Sequence, residues 1–383
     1  MIAPFVWTLP WLLPLAAVIV RARRSRSLAD APDVLPPNAP HVSVVIPARN
    51  ERRNIERCVR SVLASRYAPL DVIVVDDHST DGTGDMARAI ARDDARLRVI
   101  DAPPLADGWF GKQWACATGA AAARGSLLVF TDADTRHAPD LLPRAVNELA
   151  ARGADLLSVV GHQEMHSFWE RVIQPQLFVL LSLRYGGAEQ VSTTHRPENA
   201  IANGQFILVR REAYDPMDGH ALVRDRVAED LSLAQEWVRA GRRIALLLAI
   251  DQLSTHMYAS LAELVAGWRK NIYAGGRHAA LGGRVGRALY PVLLPAVPIV
   301  ALAPPVALVF AAFGVLSTAW LVWSGIVVAV SILFWAAIYR FMRESAGYGL
   351  VYPLGFAMLF YIAVGAVARG RRVEWKSRRY VAR

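Results

Sequence analysis

A chain of 383 residues with a net charge of +10 and a hydrophobic fraction of 54% exceeds one ordinary domain and is too apolar for a purely soluble protein. The mean hydropathy of +0.26 is unevenly spread: the excess lies in residues 3–20 and after residue 288, which predicts a membrane protein with a soluble middle. Much of the basic charge flanks those segments (Arg21, Arg23, Arg24 and Arg26, then Arg369 to Arg379), so lipid headgroups and topology account for it, and no motif calls for nucleic acid.

Residues 3–20 (APFVWTLPWLLPLAAVIV) have no positive charge before them and a dense basic cluster after, the reverse of a secretory signal. Residues 1–20 are therefore expected to be an uncleaved anchor, irregular at Pro10 and Pro14, with its amino end outside and the chain from residue 21 in the cytosol. A basic and Pro-rich linker over 21–40 follows, and a soluble domain over 41–275.

From His41 strands and helices alternate. Strands are predicted at VSVVIPA (42–48), LDVIVVDD (70–77), LRVID (97–101), LLVF (127–130) and ADLLSVV (154–160). Helical patterns run from Ile55 to Leu63, from the turn HSTDGTG to about 92, over about 112–123 and over 138–152. This alternation predicts an α/β fold, a mostly parallel sheet with helices on both faces, joined by a returning strand at NGQFILVRREAY (203–214). Residues 166–185 are apolar but hold Glu170, Arg171, Gln174, Pro175 and Gln176, so they read either as an amphipathic helix at a bilayer surface or as a core helix of the domain. After residue 288 three apolar blocks are long enough to span, at about 289–313, 317–339 and 349–368. The first carries Pro291, Pro295, Pro298, Pro304 and Pro305 and is expected to be kinked or broken. The region 276–383 is read as membrane segments with a basic tail, and the positive-inside preference favours a cytosolic tail.

Candidate chemistry gathers at strand ends. Asp132 and Asp134 flank Ala133 at the carboxyl end of a buried strand, where open α/β sheets place ligands, and two carboxylates at that spacing suit Mg²⁺ or Mn²⁺. Taken alone they would read as a solvated turn, so the assignment rests on what surrounds them. Asp76 and Asp77 end the second strand, where carboxylates can accept from ribose hydroxyls or a base N–H; Asp81 reads as a helix cap. Pro47 closes the first strand in PARNE, and Glu51 either caps the next helix or reaches a nucleotide. Lys112, opening a helix, is either a diphosphate contact or a solvated lysine. Glu229 and Asp230 start an amphipathic helix; such acids often only complement its dipole, but beside a charged cleft one of them suits a general base. Trp268 and Arg269 lie just before the membrane region, where an interface belt competes with an acceptor-holding role. Cys58 and Cys116 make neither a disulfide framework nor a zinc site. There is no Walker loop and no Rossmann glycine fingerprint.

The ordered set PARNE, VVDDHSTDGT, GK, TDAD, GQFILVRR and ED resembles the family 2, inverting, GT-A-fold glycosyltransferases over about residues 41–275. Within them it looks like the membrane-anchored single-sugar transferases associated with carotenoid and hopanoid glycosylation. The resemblance implies a nucleotide-diphosphate sugar donor, UDP- or GDP-linked, held by Pro47, Arg49, Glu51, Asp76, Asp77, Lys112 and Asp132. It implies a divalent metal at Asp132 and Asp134, with Asp134 the direct ligand, Asp230 as base, and Glu229, Trp268 and Arg269 on the acceptor side. It further implies a lipid acceptor and a multi-pass inner-membrane protein with a cytosolic catalytic domain. Processive synthases of the family carry Gln-x-x-Arg-Trp; here the region reads AGWRKN, which weighs against a polymer product. A polyprenyl-phosphate acceptor and an inactive membrane scaffold are the other readings.

Overall fold

The computed structural model describes residues 8–36, 38–278, 280–370, 372–375 and 378–381. The chain falls into two compact units: Met1–Arg24, Met165–Gly187 and Tyr258–Gly370 form one, and Ser25–Glu164, Ala188–Met257 and Arg371–Arg383 the other.

The second unit is built on an eight-stranded sheet. Its strands are β1 (Val42–Ala48), β2 (Leu70–Asp76), β3 (Leu97–Asp101), β4 (Leu127–Phe130), β5 (Thr135–His137), β6 (Leu156–Gln163), β7 (Ile207–Arg210) and β8 (Ile244–Thr255), in the order β3-β2-β1-β4-β7-β6-β8-β5. β1, β2, β3 and β4 run parallel, as do β6 and β8, while β7 enters antiparallel between β4 and β6. The mostly parallel sheet expected from the alternation is present. The continuous apolar runs of β1, β2 and β4 are buried on both faces, as central parallel strands require.

The helices cover the sheet through faces written in the sequence. Ile55–Leu63 buries Ile55, Cys58, Val59, Val62 and Leu63, and each fully buried Ile, Val or Leu contributes roughly 1.5–3 kcal/mol of apolar transfer. The helix Gly111–Ala122 lies so close to the sheet at Gly119 that a Cβ there would stand 2.3 Å from Val45 Cγ1. That close approach sets the height of the helix and of Lys112, its second residue. Two strands escaped the sequence reading. β5 has three residues, shorter than any periodicity can register, and pairs with β8 through Thr135–Thr255 and His137–Leu253. β8 is the longest strand, yet its apolar run IALLLAI follows a helix without a turn signal beyond Gly241.

The first unit is helical. Gly283–Ala312, Thr318–Phe341 and Ala346–Arg369 are long and apolar enough to cross a membrane, whereas the described part of the N-terminal helix, Leu9–Arg24, is short. The first of the three is not broken: five prolines lie inside one continuous helix. A proline cannot donate to the carbonyl four residues back, and here side chains replace some of the missing donors. Trp11 Nε1 donates to Val300 O (3.0 Å), opposite Pro304, and Arg277 Nε to Arg287 O (3.4 Å), opposite Pro291. The helix Phe168–Tyr185 also belongs to this unit and is not a core helix of the sheet domain. It opens with a capping box between Ser167 and Glu170, which gives that carboxylate a structural task, and its Pro175 frees Arg171 O, which accepts from Tyr339 Oη at 2.8 Å. The basic tail pairs Arg372–Trp375 antiparallel with Arg378–Val381.

Candidate functional site

The pocket that carries the candidate chemistry lies wholly within the sheet unit. Its floor is Pro47 from β1, Phe130 and Thr131 from the end of β4 and Ile207 from β7; its rim carries Lys112, Asp132, Gly204, His220, Glu229 and Asp230.

β4 delivers the Asp-Ala-Asp turn, and a buried network fixes it. Thr131 Oγ1 donates to Gln205 O (2.7 Å) and lies 2.9 Å from His137 Nε2, while Thr135 Oγ1 donates to Asp132 O (2.8 Å). Burial pushes the His137 imidazole down to about 3, so it stays neutral and serves as a hydrogen-bonding strut. Behind the turn, Arg57 pairs with Glu164 at 3.1 Å and reaches Asp134 O at 3.4 Å.

Lys112 ties the two acidic motifs together. Its Nζ lies 2.7 Å from Asp132 Oδ1 and 2.6 Å from Glu229 Oε1. Burial disfavours the ammonium, but Asp132, Glu229 and Asp230 outweigh it and hold the lysine well above its ordinary value. Lys112 is therefore an ion-paired cation at the pocket rim, not a solvated side chain. Asp230, second in the helix Glu229–Arg239, accepts from Gly204 N on Oδ2 (2.9 Å) and from Leu231 N on Oδ1 (2.7 Å). Those bonds aim the carboxylate, yet burial and the adjacent Glu229 push it up to about 6. Gly204 leaves the room: a Cβ there would meet Lys112 Nζ at 3.0 Å and Asp230 Oδ2 at 3.2 Å.

The structure also shows how a cation would fit beside the turn. Asp134 Oδ1 is buried without a hydrogen-bond partner, and burial followed by the charges of Asp132 and Glu51 pushes the carboxyl up to about 7. Asp132 is raised as well, first by burial. A buried acidic corner with an unmet oxygen matches a hard divalent cation, and its two carboxylates would leave coordination positions for phosphate oxygens, the usual habit of Mg²⁺ sites. Among the described residues no group of three or more His, Cys, Asp or Glu side chains makes a self-sufficient metal cage.

The remaining sequence candidates separate. Asp76 and Asp77 are buried at the end of β2; Asp76 Oδ1 accepts from Ser79 N (3.1 Å), and Arg49 lies 3.8 Å from Asp77 and donates to its carbonyl. Asp81 accepts from Thr83 N (3.0 Å) and Arg52 N (3.0 Å), the local capping expected of it. Glu51 accepts from Asn54 Nδ2 at 3.0 Å ahead of the helix Ile55–Leu63, whose first turn has no side-chain cap, and its charge is felt by both acids of the turn. Trp268 and Arg269 lie in the helical unit, Trp268 buried near Phe178 and Arg269 stacked 4.6 Å over Tyr361. Sequence reasoning assigned nothing to Thr131, Gly204, Tyr214 or His220. The small residue in Asn-Gly-Gln and the histidine in Gly-His are the signals that could have found Gly204 and His220.

The matched family model, Glycosyl transferase family 2, covers residues 43–217. This stretch is a family 2 glycosyltransferase domain. Two curated relatives are 4,4'-diaponeurosporenoate glycosyltransferases: one from Staphylococcus haemolyticus, 25% identical over 240 residues, and one from Staphylococcus aureus, 28% identical over 239 residues. Each match covers 61% of this chain and 61% of the relative, so the chain spans less than two thirds of the length of these relatives. Among solved structures, a mannosyltransferase from Pyrobaculum calidifontis in complex with GDP-Man and Mn²⁺ superposes with a TM-score of 0.54 at 22% identity, covering 96% of this chain and 97% of that one. That likeness shows the fold, the GT-A arrangement expected from the motif order.

Proposed function

We propose that the protein is an inverting glycosyltransferase that moves a single sugar from a nucleotide-diphosphate sugar to the hydroxyl or carboxyl group of a membrane lipid. The observation that carries this reading is the joining of the Asp132–Asp134 turn and the Glu229–Asp230 helix start in one pocket through Lys112. Inverting transfer is one displacement at the anomeric carbon: the bond to the diphosphate oxygen breaks as the bond to the acceptor oxygen forms. It needs a base for the acceptor proton and a sink for the charge of the leaving diphosphate.

Asp230 suits the first task. Its two backbone bonds leave lone pairs free, and a carboxyl raised to about 6 is a better base than an ordinary carboxylate while remaining ionised at neutral pH. Lys112 suits the second, exchanging Asp132 for diphosphate oxygens. Asp132 and Asp134 would hold a divalent cation, which when bound neutralises the diphosphate. Asp76 and Asp77 at the end of β2, with Arg49 beside Asp77, are proposed to hold the nucleoside, and Pro47 the sugar-bearing end. A lipid acceptor is supported by the relatives named for a carotenoid acid and by three helices able to span a bilayer; Trp268 and Arg269 in the helical unit are then proposed to face the acceptor.

Asp230→Asn tests the assignment. Transfer is expected to fall by at least 10³-fold while donor affinity changes less than threefold; loss of donor binding instead removes Asp230 from the role of base. Chelation of divalent cations is expected to abolish transfer and Mn²⁺ or Mg²⁺ to restore it, so full turnover in chelator refutes the metal assignment.

A further inference from the structure

His220 is buried at the pocket wall, and neither acidic motif accounts for it. It follows the short helical turn after β7, where Gly219 adopts φ 49° with the Tyr214 ring packed against it. The imidazole stands 4.4 Å from the Phe130 ring, edge to face, and Phe130 in turn stacks on Tyr214 at 5.3 Å. Phe130 and Tyr214, the latter 5.8 Å away and tilted, both pack against the imidazole.

Its hydrogen bonds bear on its tautomer. The His220 backbone N–H donates to Tyr214 Oη at 3.1 Å, and Tyr214 Oη lies 2.7 Å from His220 Nδ1. With the hydroxyl oxygen accepting from the backbone, its own proton is available to Nδ1, the arrangement that leaves Nδ1 unprotonated. The ring proton is thereby placed on Nε2, which has no hydrogen-bond partner among the described residues. Burial also pushes this imidazole down to about 4, so it stays neutral. A neutral imidazole whose free nitrogen carries hydrogen cannot take a proton; it can only donate a hydrogen bond. Most other polar side chains lining the pocket are charged (Lys112, Asp132, Glu229 and Asp230); the Thr131 hydroxyl donates to Gln205 O, which leaves the Cys116 thiol as the remaining uncharged group. The charged groups suit phosphate, metal and proton transfer, whereas a neutral fixed donor suits an uncharged oxygen.

We propose that His220 Nε2–H donates to a ring hydroxyl of the transferred sugar, with Tyr214 as the positioning residue that sets the tautomer. This rests on the transferase reading above and deepens it: the Tyr214–His220 pair becomes a determinant of which sugar is accepted. A site built to bind a hydroxyl discriminates strongly against the sugar that lacks it, because its buried donor is then left unpaired.

The test is donor binding and steady-state kinetics of the full-length protein in detergent, with a parent nucleotide sugar and its series of monodeoxy analogues. His220→Phe is expected to raise the donor Kd about tenfold, and His220→Gln, which keeps an N–H, to recover much of the loss. One deoxy analogue should bind wild type about tenfold more weakly than the parent sugar, yet bind His220→Phe as well as the parent does. Tyr214→Phe should leave binding of that analogue unchanged, weaken the parent severalfold, and alter the imidazole ¹⁵N shifts from the Nε2–H pattern. The proposal is overturned if every deoxy analogue loses the same factor in wild type and His220→Phe, or if wild type shows Nδ1 protonated. If His220→Phe fails to fold, the ¹⁵N pattern and the His220→Gln and Tyr214→Phe profiles decide alone. Failure of wild type to bind any nucleotide sugar would sink the transferase reading instead.

Discussion

Asp134 buries a carboxylate with one oxygen unmet, at a cost to the stability of the metal-free protein. Its carboxyl rises from 3.8 to about 7, so between those values the folded protein holds more proton than the unfolded chain. Stability of the metal-free protein is therefore greatest at the acid side of that window and falls as pH rises towards 7. Asp134→Asn removes the buried charge and is expected to stabilise the metal-free protein at pH 8 by on the order of 1–2 kcal/mol, a rise of a few degrees in Tm, while cancelling the Tm increase that Mn²⁺ gives the wild type. A lower Tm with an intact Mn²⁺ response would show that Asp134 is structural. Asp230 gives the matching kinetic expectation: at saturating donor, kcat/KM for the acceptor should fall about tenfold per pH unit below about 6, where the carboxyl gains its proton. The acids themselves were legible from the sequence because Asp-x-Asp and Glu-Asp sit beside an apolar strand and an amphipathic helix. Their partners were not. Lys112 could be read two ways because its task depends on Glu229, 117 positions away in a different motif, and the role of His220 depends on the direction of one tyrosine proton.

At the scale of elements, the sequence reading succeeded where burial is two-sided and failed where a signal has another source. β1, β2 and β4 announce themselves as apolar runs ending in polar residues, whereas β5 exists because β8 offers it an edge. In the proline-rich segment the break does not occur: a helix loses only the donors its prolines lack, and other helices of the same unit supply some of them. The pair Pro175 and Tyr339 makes this measurable. Tyr339→Phe leaves Arg171 O without its donor and should cost about 1 kcal/mol. Pro175→Ala restores a backbone N–H to that carbonyl, so in its background Tyr339→Phe should cost less than half as much. Equal costs in both backgrounds, measured from denaturation midpoints in detergent, would show that the phenol contributes by packing alone.

The proposed reaction has to bring a charged donor and a membrane lipid together. Nucleotide sugars are charged and do not cross membranes, and a lipid acceptor does not leave one, so the reading requires the sheet unit on the side where nucleotide sugars are made. The basic residues that follow the N-terminal helix favour the cytosolic side by the positive-inside preference. The chain is suited to a direct test because both native cysteines, Cys58 and Cys116, are buried in the sheet unit and offer little background to a thiol reagent. Asp107 is exposed on a loop of that unit. Asp107→Cys is expected to resist a membrane-impermeant maleimide in intact cells and to label fully once the membrane is opened. Labelling in intact cells would place the pocket on the outer face, where a lipid-linked sugar would have to replace the nucleotide sugar as donor. That outcome would leave the Asp132–Asp134 and Asp230 chemistry standing but transfer it to a different donor class.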